Sequence, residues 1–244
     1  MKMKRPSMII FDYGFTLSLI YSYDTKRGFD ALTPYIKTNP HGLTSSDLQT
    51  QYDSIYTTLY GQKRDNIEFD LIKILRCILD INGIRLSVPM TDAAFIFFEG
   101  AESADPMPGI ADLLHFLDEV SIRTGVISNL VENGEVLKRH IDRMLPENNF
   151  EFVITSSDYI FRKPLPHLFR VAIELSKLPP DEIWFCGDNT MADIMGAHSV
   201  GMFPVWFDFE AECPYPRYMT DTPECECLHI KNWSELVNYL KELT

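Results

Sequence analysis

Five short stretches, residues 7–11, 123–127, 150–155, 182–186 and 203–207, are rich in Ile, Val, Phe and Trp, and helix-patterned segments follow most of them. Runs that stay apolar, rather than alternating with polar residues, mark strands buried on both faces. Such strands, interleaved with helices, predict an α/β fold with a doubly wound parallel sheet. The segment 110–120 sets Leu113, Leu114 and Leu117 at helical spacing, and 132–145 and 164–177 are patterned alike, the last with proline near its start. At the C-terminal end, Leu236, Val237, Leu240 and Leu243 share one helical face behind Ser234, a serine suited to capping.

Roughly 110 residues separate the first strand from the second, far more than one crossover helix requires. The excess has a helical pattern, including 69–81 with Ile72, Leu75, Ile78 and Leu79 on one face and then 91–99; Pro106, Pro108 and Gly109 punctuate the return. The expected organisation is an α/β core from residues 1–18 and 105–244, interrupted by an all-helical domain at 19–104. A length of 244 residues, 45% of them apolar and 23% charged, suits one core with a sizeable insertion.

Charge excludes some partners. Twenty-two basic against 35 acidic residues give −13, which repels nucleic acid and anionic membranes alike. No apolar run approaches the length needed to cross a bilayer, and the basic start, Met1 to Arg5, lacks the apolar core of an export signal. The five cysteines, Cys77, Cys186, Cys213, Cys225 and Cys227, lack the spacing of a zinc ribbon or a disulfide framework; Cys225 and Cys227 alone are weak evidence for a metal or redox pair. A reducing cytoplasm is the expected location.

In a parallel α/β sheet, ligands bind beyond the carboxyl ends of the strands. There the sequence has Asp12 in FDYGFTL, Ser128 and Asn129 in VISN, Lys163 in FRKP, and Asp188 with Asp193 in GDNTMAD. These four motifs, in this order and at these strand ends, resemble those of the haloacid dehalogenase superfamily of hydrolases, most of them phosphatases, which carry a helical cap between the first and second motifs. The resemblance spans Met8 to Leu17 and Pro106 to about Trp206, including MPGIADLLHFL and RKPLPHLF. It implies that Asp12 attacks the phosphorus of a small phosphorylated substrate, forming an aspartyl-phosphate that water hydrolyses. The hydroxyl of Ser128 and the side chain or backbone of Asn129 would bind phosphate oxygens, and Lys163 would pair with Asp12 and the phosphoryl group. Asp12, the Gly14 carbonyl, Asp188 and Asp193 would form an oxygen-rich Mg²⁺ site, with Asp193 acting through water or by orienting Lys163. With Mg²⁺, three carboxylates and one lysine sum to zero charge. Arg162 is expected to face solvent. The protein is expected to be a monomer or a homodimer.

The sequence departs from the resemblance at Gly14, where the family's phosphatases usually carry a second aspartate that protonates the leaving group and then activates water. Glycine cannot exchange a proton, a contribution typically worth about 10²- to 10⁴-fold in rate. Asp24, His41 and Glu99 are substitutes to consider, and Tyr21, Tyr23, Asp24, Lys26 and Arg27 are substrate-facing candidates. Two other readings stay open: a dehalogenase, in which the aspartate attacks carbon without magnesium, and a phosphate-binding or protein-interaction member of the family. The aromatic segment 206–218 is the feature that favours the last.

Overall fold

The computed structural model describes residues 4–60, 66–209 and 222–243. Six strands form one parallel sheet: β1 (Met8–Phe11), β6 (Arg123–Ser128), β7 (Phe150–Thr155), β8 (Ile183–Gly187), β9 (Phe203–Phe207) and β10 (Leu228–Ile230). Their spatial order is β10-β9-β8-β1-β6-β7. The chain lays β6 and β7 on one side of β1, then crosses back to place β8, β9 and β10 on the other. The strand order therefore reverses between β1 and β8, where ligands bind in doubly wound sheets.

β1 explains why its residues are apolar without exception. Ile9 and Phe11 pack into the core on one face of the sheet, while Met8 and Ile10 join a second cluster with Phe169 and Phe185 on the other. Each expected strand matches an observed one to within a residue at either end. β10 was not expected, because three residues of mixed polarity carry too little periodicity to signal a strand.

The crossover helices are α5 (Ile110–Glu119), α6 (Gly134–Met144) and α8 (His167–Ser176), and α10 (Trp233–Glu242) closes the described chain. Ser234 does not cap this last helix. Asn232 does, its side chain accepting from the Glu235 N–H, a role asparagine fills at least as well as serine.

Among the described residues of the insertion, 25–101 hold four α-helices, α1 (Thr25–Leu32), α2 (Ser45–Tyr60), α3 (Leu71–Ile81) and α4 (Met90–Ala101). They pack around Phe29, Tyr52, Ile78 and Phe97. The expectation of an all-helical insertion needs one correction, because β3 (Ile36–Thr38) and β4 (Arg85–Leu86) pair antiparallel within it. Gly83, at φ +63°, turns the chain out of α3 into that pairing, a conformation that favours glycine. The chain leaves and re-enters the sheet region through β2 (Ser18–Tyr23) and β5 (Glu102–Pro106), which also pair antiparallel. Among the described residues no helix is long and apolar enough to cross a membrane.

Candidate active site

Asp12 follows β1 directly, and its backbone N–H donates to the Cys186 carbonyl of β8, which fixes it at the reversal point. Its Oδ1 accepts from Lys163 Nζ at 2.8 Å. The same Nζ donates to Asp193 Oδ1 at 2.6 Å and to the Ile127 carbonyl at 3.0 Å. An ammonium has three hydrogens, so Lys163 has an acceptor for each. Burial alone would push its pKa down, but the carboxylates of Asp12 and Asp193 outweigh burial and hold it above the ordinary lysine value. Lys163 therefore stays charged in a site where its side chain is only 1% exposed.

Asp193 lies in a π-helical turn, Thr190–Met195, which runs into α9 (Gly196–Ser199). Asn189 caps that turn, accepting from the Met191 and Ala192 N–H groups. Both Asp193 oxygens are engaged, Oδ1 by Lys163 and Oδ2 by the Asn189 N–H at 3.0 Å. Burial pushes this carboxyl upward, while Lys163 pulls against the shift. Of the two roles open to Asp193, the geometry favours orienting Lys163. Gly187 makes this possible, since a Cβ there would lie 2.4 Å from the Asp193 carboxyl carbon.

The carboxylate oxygens of Asp12, Asp188 and Asp193 lie within 4.8 Å of one another. With one lysine among them, three carboxylates at this spacing would repel one another and any anionic substrate unless a cation offset them. Hard oxygen donors of this kind fit Mg²⁺. These groups line a chamber of about 200 Å³ together with Gly14, Ser128, Asn129 and Arg162.

Two sequence expectations change in detail. Asn129 lines the chamber, and of its side chain and backbone, the two groups open to a phosphate oxygen, the side chain is already engaged. Its Oδ1 accepts from the Lys163 N–H at 2.8 Å and its Nδ2 donates to the Lys163 carbonyl at 2.9 Å, so the amide clamps the lysine's backbone. Arg162, expected to face solvent, keeps only 25% of its side chain exposed. It lines the chamber and forms an ion pair with Glu68, whose side chain is fully buried and also accepts from Ser156 Oγ. An arginine carries this pairing well because its planar fork matches a carboxylate.

Of the substitutes considered for the missing acid, two are engaged elsewhere and the third is exposed. Asp24 caps α1, His41 lies exposed before α2, and Glu99 contacts His140 and Arg143. Of the other substrate-facing candidates, Tyr21 donates to Asp105, Lys26 to Asp30 and Arg27 to the Ala101 carbonyl. Only Tyr23 lines a cavity beside the chamber, and its hydroxyl donates to Glu132 at 2.8 Å. Burial pushes the Glu132 carboxyl up to about 7, against the lowering effect of that hydrogen bond. In the aromatic segment, Phe207 and Phe209 are buried and Trp206 stacks on His229, while residues 210–218 lie outside the described residues. Of the cysteines, Cys186 is buried in β8 and Cys77, Cys225 and Cys227 are free thiols; Cys213 is outside the described residues.

A carboxylate at the tip of the central strand, tied to a buried lysine and flanked by two more aspartates at the reversal point, defines a class of α/β hydrolases. The family model for haloacid dehalogenase-like hydrolases matches residues 91–207. Over those residues, just under half of the chain, the protein resembles that family. It is 31% identical over 140 residues to a protein from Pyrococcus furiosus named glyceraldehyde 3-phosphate phosphatase, covering 53% of this chain and 57% of the relative. The chain spans about half the length of the curated relatives it matches. A hydrolase of the superfamily from Ehrlichia chaffeensis superposes with a TM-score of 0.55 at 21% identity, over 99% of both chains. A 2-haloacid dehalogenase from Pseudomonas syringae pv. Tomato DC3000 superposes with a TM-score of 0.61 at 19% identity, over 97% of this chain and 99% of its own. Structural likeness at this identity reaches hydrolases and dehalogenases alike and speaks to the fold alone.

Proposed function

We propose that this chain is a magnesium-dependent phosphatase acting on a small phosphorylated metabolite, with residues 19–104 serving as a cap over the site. The observation that carries the reading is the convergence of Asp12, Asp188 and Asp193 on one point, with Lys163 between Asp12 and Asp193. An aspartate that attacks carbon needs no such acidic cluster, whereas a site for a phosphoryl group and a cation does. The name of the Pyrococcus furiosus relative supports the same choice.

In this reading the Asp12 oxygen not bonded to Lys163 attacks phosphorus, the bond to the substrate oxygen breaks, and water then cleaves the aspartyl-phosphate, restoring the carboxylate. Lys163 holds Asp12 in place and supplies positive charge without giving up a proton. Ser128 Oγ and the Asn129 N–H receive phosphate oxygens. Asp12, Asp188 and the Gly14 carbonyl would hold Mg²⁺, with Asp193 contributing through Lys163 or a water. The ion's contribution is to offset charge on the phosphoryl oxygens. With glycine at position 14, the leaving oxygen takes its proton from water. The charge of −13 supports a protein that engages neither nucleic acid nor anionic membranes; the reading places it in the cytoplasm as a monomer or homodimer.

The test is phosphate release from p-nitrophenyl phosphate, whose leaving group needs no acid, with and without Mg²⁺, for wild type beside Asp12→Asn. Activity that requires both the ion and Asp12 is expected, with a loss of at least about 10³-fold in the variant. Equal activity of the two proteins would overturn the assignment of the nucleophile, and a folded, metal-loaded wild type with no activity would favour the phosphate-binding alternative.

A further inference from the structure

Next to the nucleophile's chamber is a second cavity of about 410 Å³, and the two share a wall formed by Asn129, Leu130 and Arg162. That volume suits a small organic group. Its other walls come from elements far apart in the chain. Tyr23 stands at the end of β2, Tyr52, Asp53 and Tyr56 lie on α2, and Glu132 lies in the loop that begins at Ser128 and Asn129. Tyr52 and Tyr56 stack, their ring centroids 6.1 Å apart and their planes 16° from parallel.

The charges on these walls are uneven. Among the described residues that line the cavity, Arg162 is the one cation, and the buried Glu68 carboxylate already meets it. Asp53 and Glu132 supply acceptor oxygens, and the tyrosine rings present faces whose quadrupole is negative. Among the described residues, an anionic group entering here would meet carboxyl oxygens and ring faces with no uncompensated positive charge to receive it. Hydroxyl or ammonium donors would find acceptors, and an ammonium would gain from the rings as well.

We infer that this cavity holds the alcohol portion of the substrate, and that it selects phosphate monoesters whose alcohol carries further hydroxyl or ammonium donors and no second anion. The inference rests on the phosphatase reading for the identity of the bound ester, and binding separates the two. Glycerol 3-phosphate, phosphoethanolamine and 2-phosphoglycolate are of similar size and differ in that the first offers hydroxyls, the second an ammonium and the third a carboxylate. Their affinities are measured by calorimetry on the full-length, Mg²⁺-loaded Asp12→Asn protein, beside p-nitrophenyl phosphate turnover by wild type.

At least one of the first two should bind about tenfold or more tightly than 2-phosphoglycolate, and which of them leads identifies hydroxyl or ammonium as the recognised group. Introducing Asp53→Lys, on an exposed position of α2, should shift that ratio about tenfold or more toward 2-phosphoglycolate; Asp53→Asn should shift it less in the same direction. Equal or tighter binding of 2-phosphoglycolate, a ratio unmoved by both substitutions, or binding of none of the three would overturn the inference whatever the turnover. Selective binding beside absent turnover would uphold this inference and overturn the phosphatase reading alone.

Discussion

Two buried carboxyl groups flank the shared wall, and they are stabilised in opposite ways. Asp193, in the chamber at the strand tips, is fully buried and answered by the Lys163 ammonium at 2.6 Å. Glu132, in the cavity beneath the helices, is equally enclosed and answered by a phenol. The first is an ion pair, whose charge is retained because each partner sustains the other. The second is a hydrogen bond from an uncharged partner, and burial lifts the carboxyl's pKa to about 7. A single loop, residues 128–132, thus joins a region organised by charge to one organised by hydrogen-bonding shape.

The largest break in this contrast should come from Lys163→Met. It removes the ammonium between Asp12 and Asp193 and leaves a buried carboxylate unmatched, at a cost of about 3–5 kcal/mol in chemical denaturation. Adding Asp193→Asn should recover part of that loss. No recovery would mean that packing of the lysine stem, rather than charge, sets its value.

Glu132 should show its difference through pH. Between about pH 4.5 and 7 the unfolded chain gives up this proton while the folded chain keeps it, so the folded state binds more protons and stability falls as pH rises through that window. The total is about 3 kcal/mol, levelling off above pH 7. Denaturation of Glu132→Gln across pH 4 to 8 should lack that decline, and a slope matching wild type would place the titration elsewhere.

Gly14→Asp sharpens the comparison from the side of the chamber. A Cβ at Gly14 would meet Ile20 Cδ1 at 3.4 Å, so the position has room for a side chain. If proton delivery limits turnover, the variant should raise hydrolysis of alkyl phosphates by about 10-fold to 10²-fold while changing p-nitrophenyl phosphate far less. The smallest effect belongs to Tyr23→Phe, expected to cost about 1 kcal/mol by removing the hydroxyl that Glu132 accepts. Its pH slope should steepen, because Glu132 then loses a bond that favours its ionised form.

The same contrast explains what the sequence discloses. Asp12 and Asp188 directly follow a strand and Ser128 ends one, so finding the strands finds most of the chamber, while Lys163 lies beyond a helical turn after β7. The cavity's residues follow no such rule. Tyr52 and Tyr56 are spaced i, i+4, a helical-face signal as common in cores as in binding sites. Glu132 is only three residues beyond Asn129, yet its enclosure depends on Tyr23, 109 residues away in the chain. Arg162 was misplaced for a related reason, since its partner Glu68 is 94 residues distant and nothing local announces it.

The reversal of strand order also governs when the chamber comes into being. Asp12 and Lys163 are 151 positions apart, and Asp12 is anchored by a backbone bond to β8, further along still. Contacts of such long range form slowly, since the entropy of closing a large loop precedes the reward. A nascent chain carries Asp12 long before the lysine that neutralises it and the strand that anchors it have been made. Assembly of the chamber thus waits on the synthesis of β8, and a translation product truncated before β8 lacks the anchor altogether.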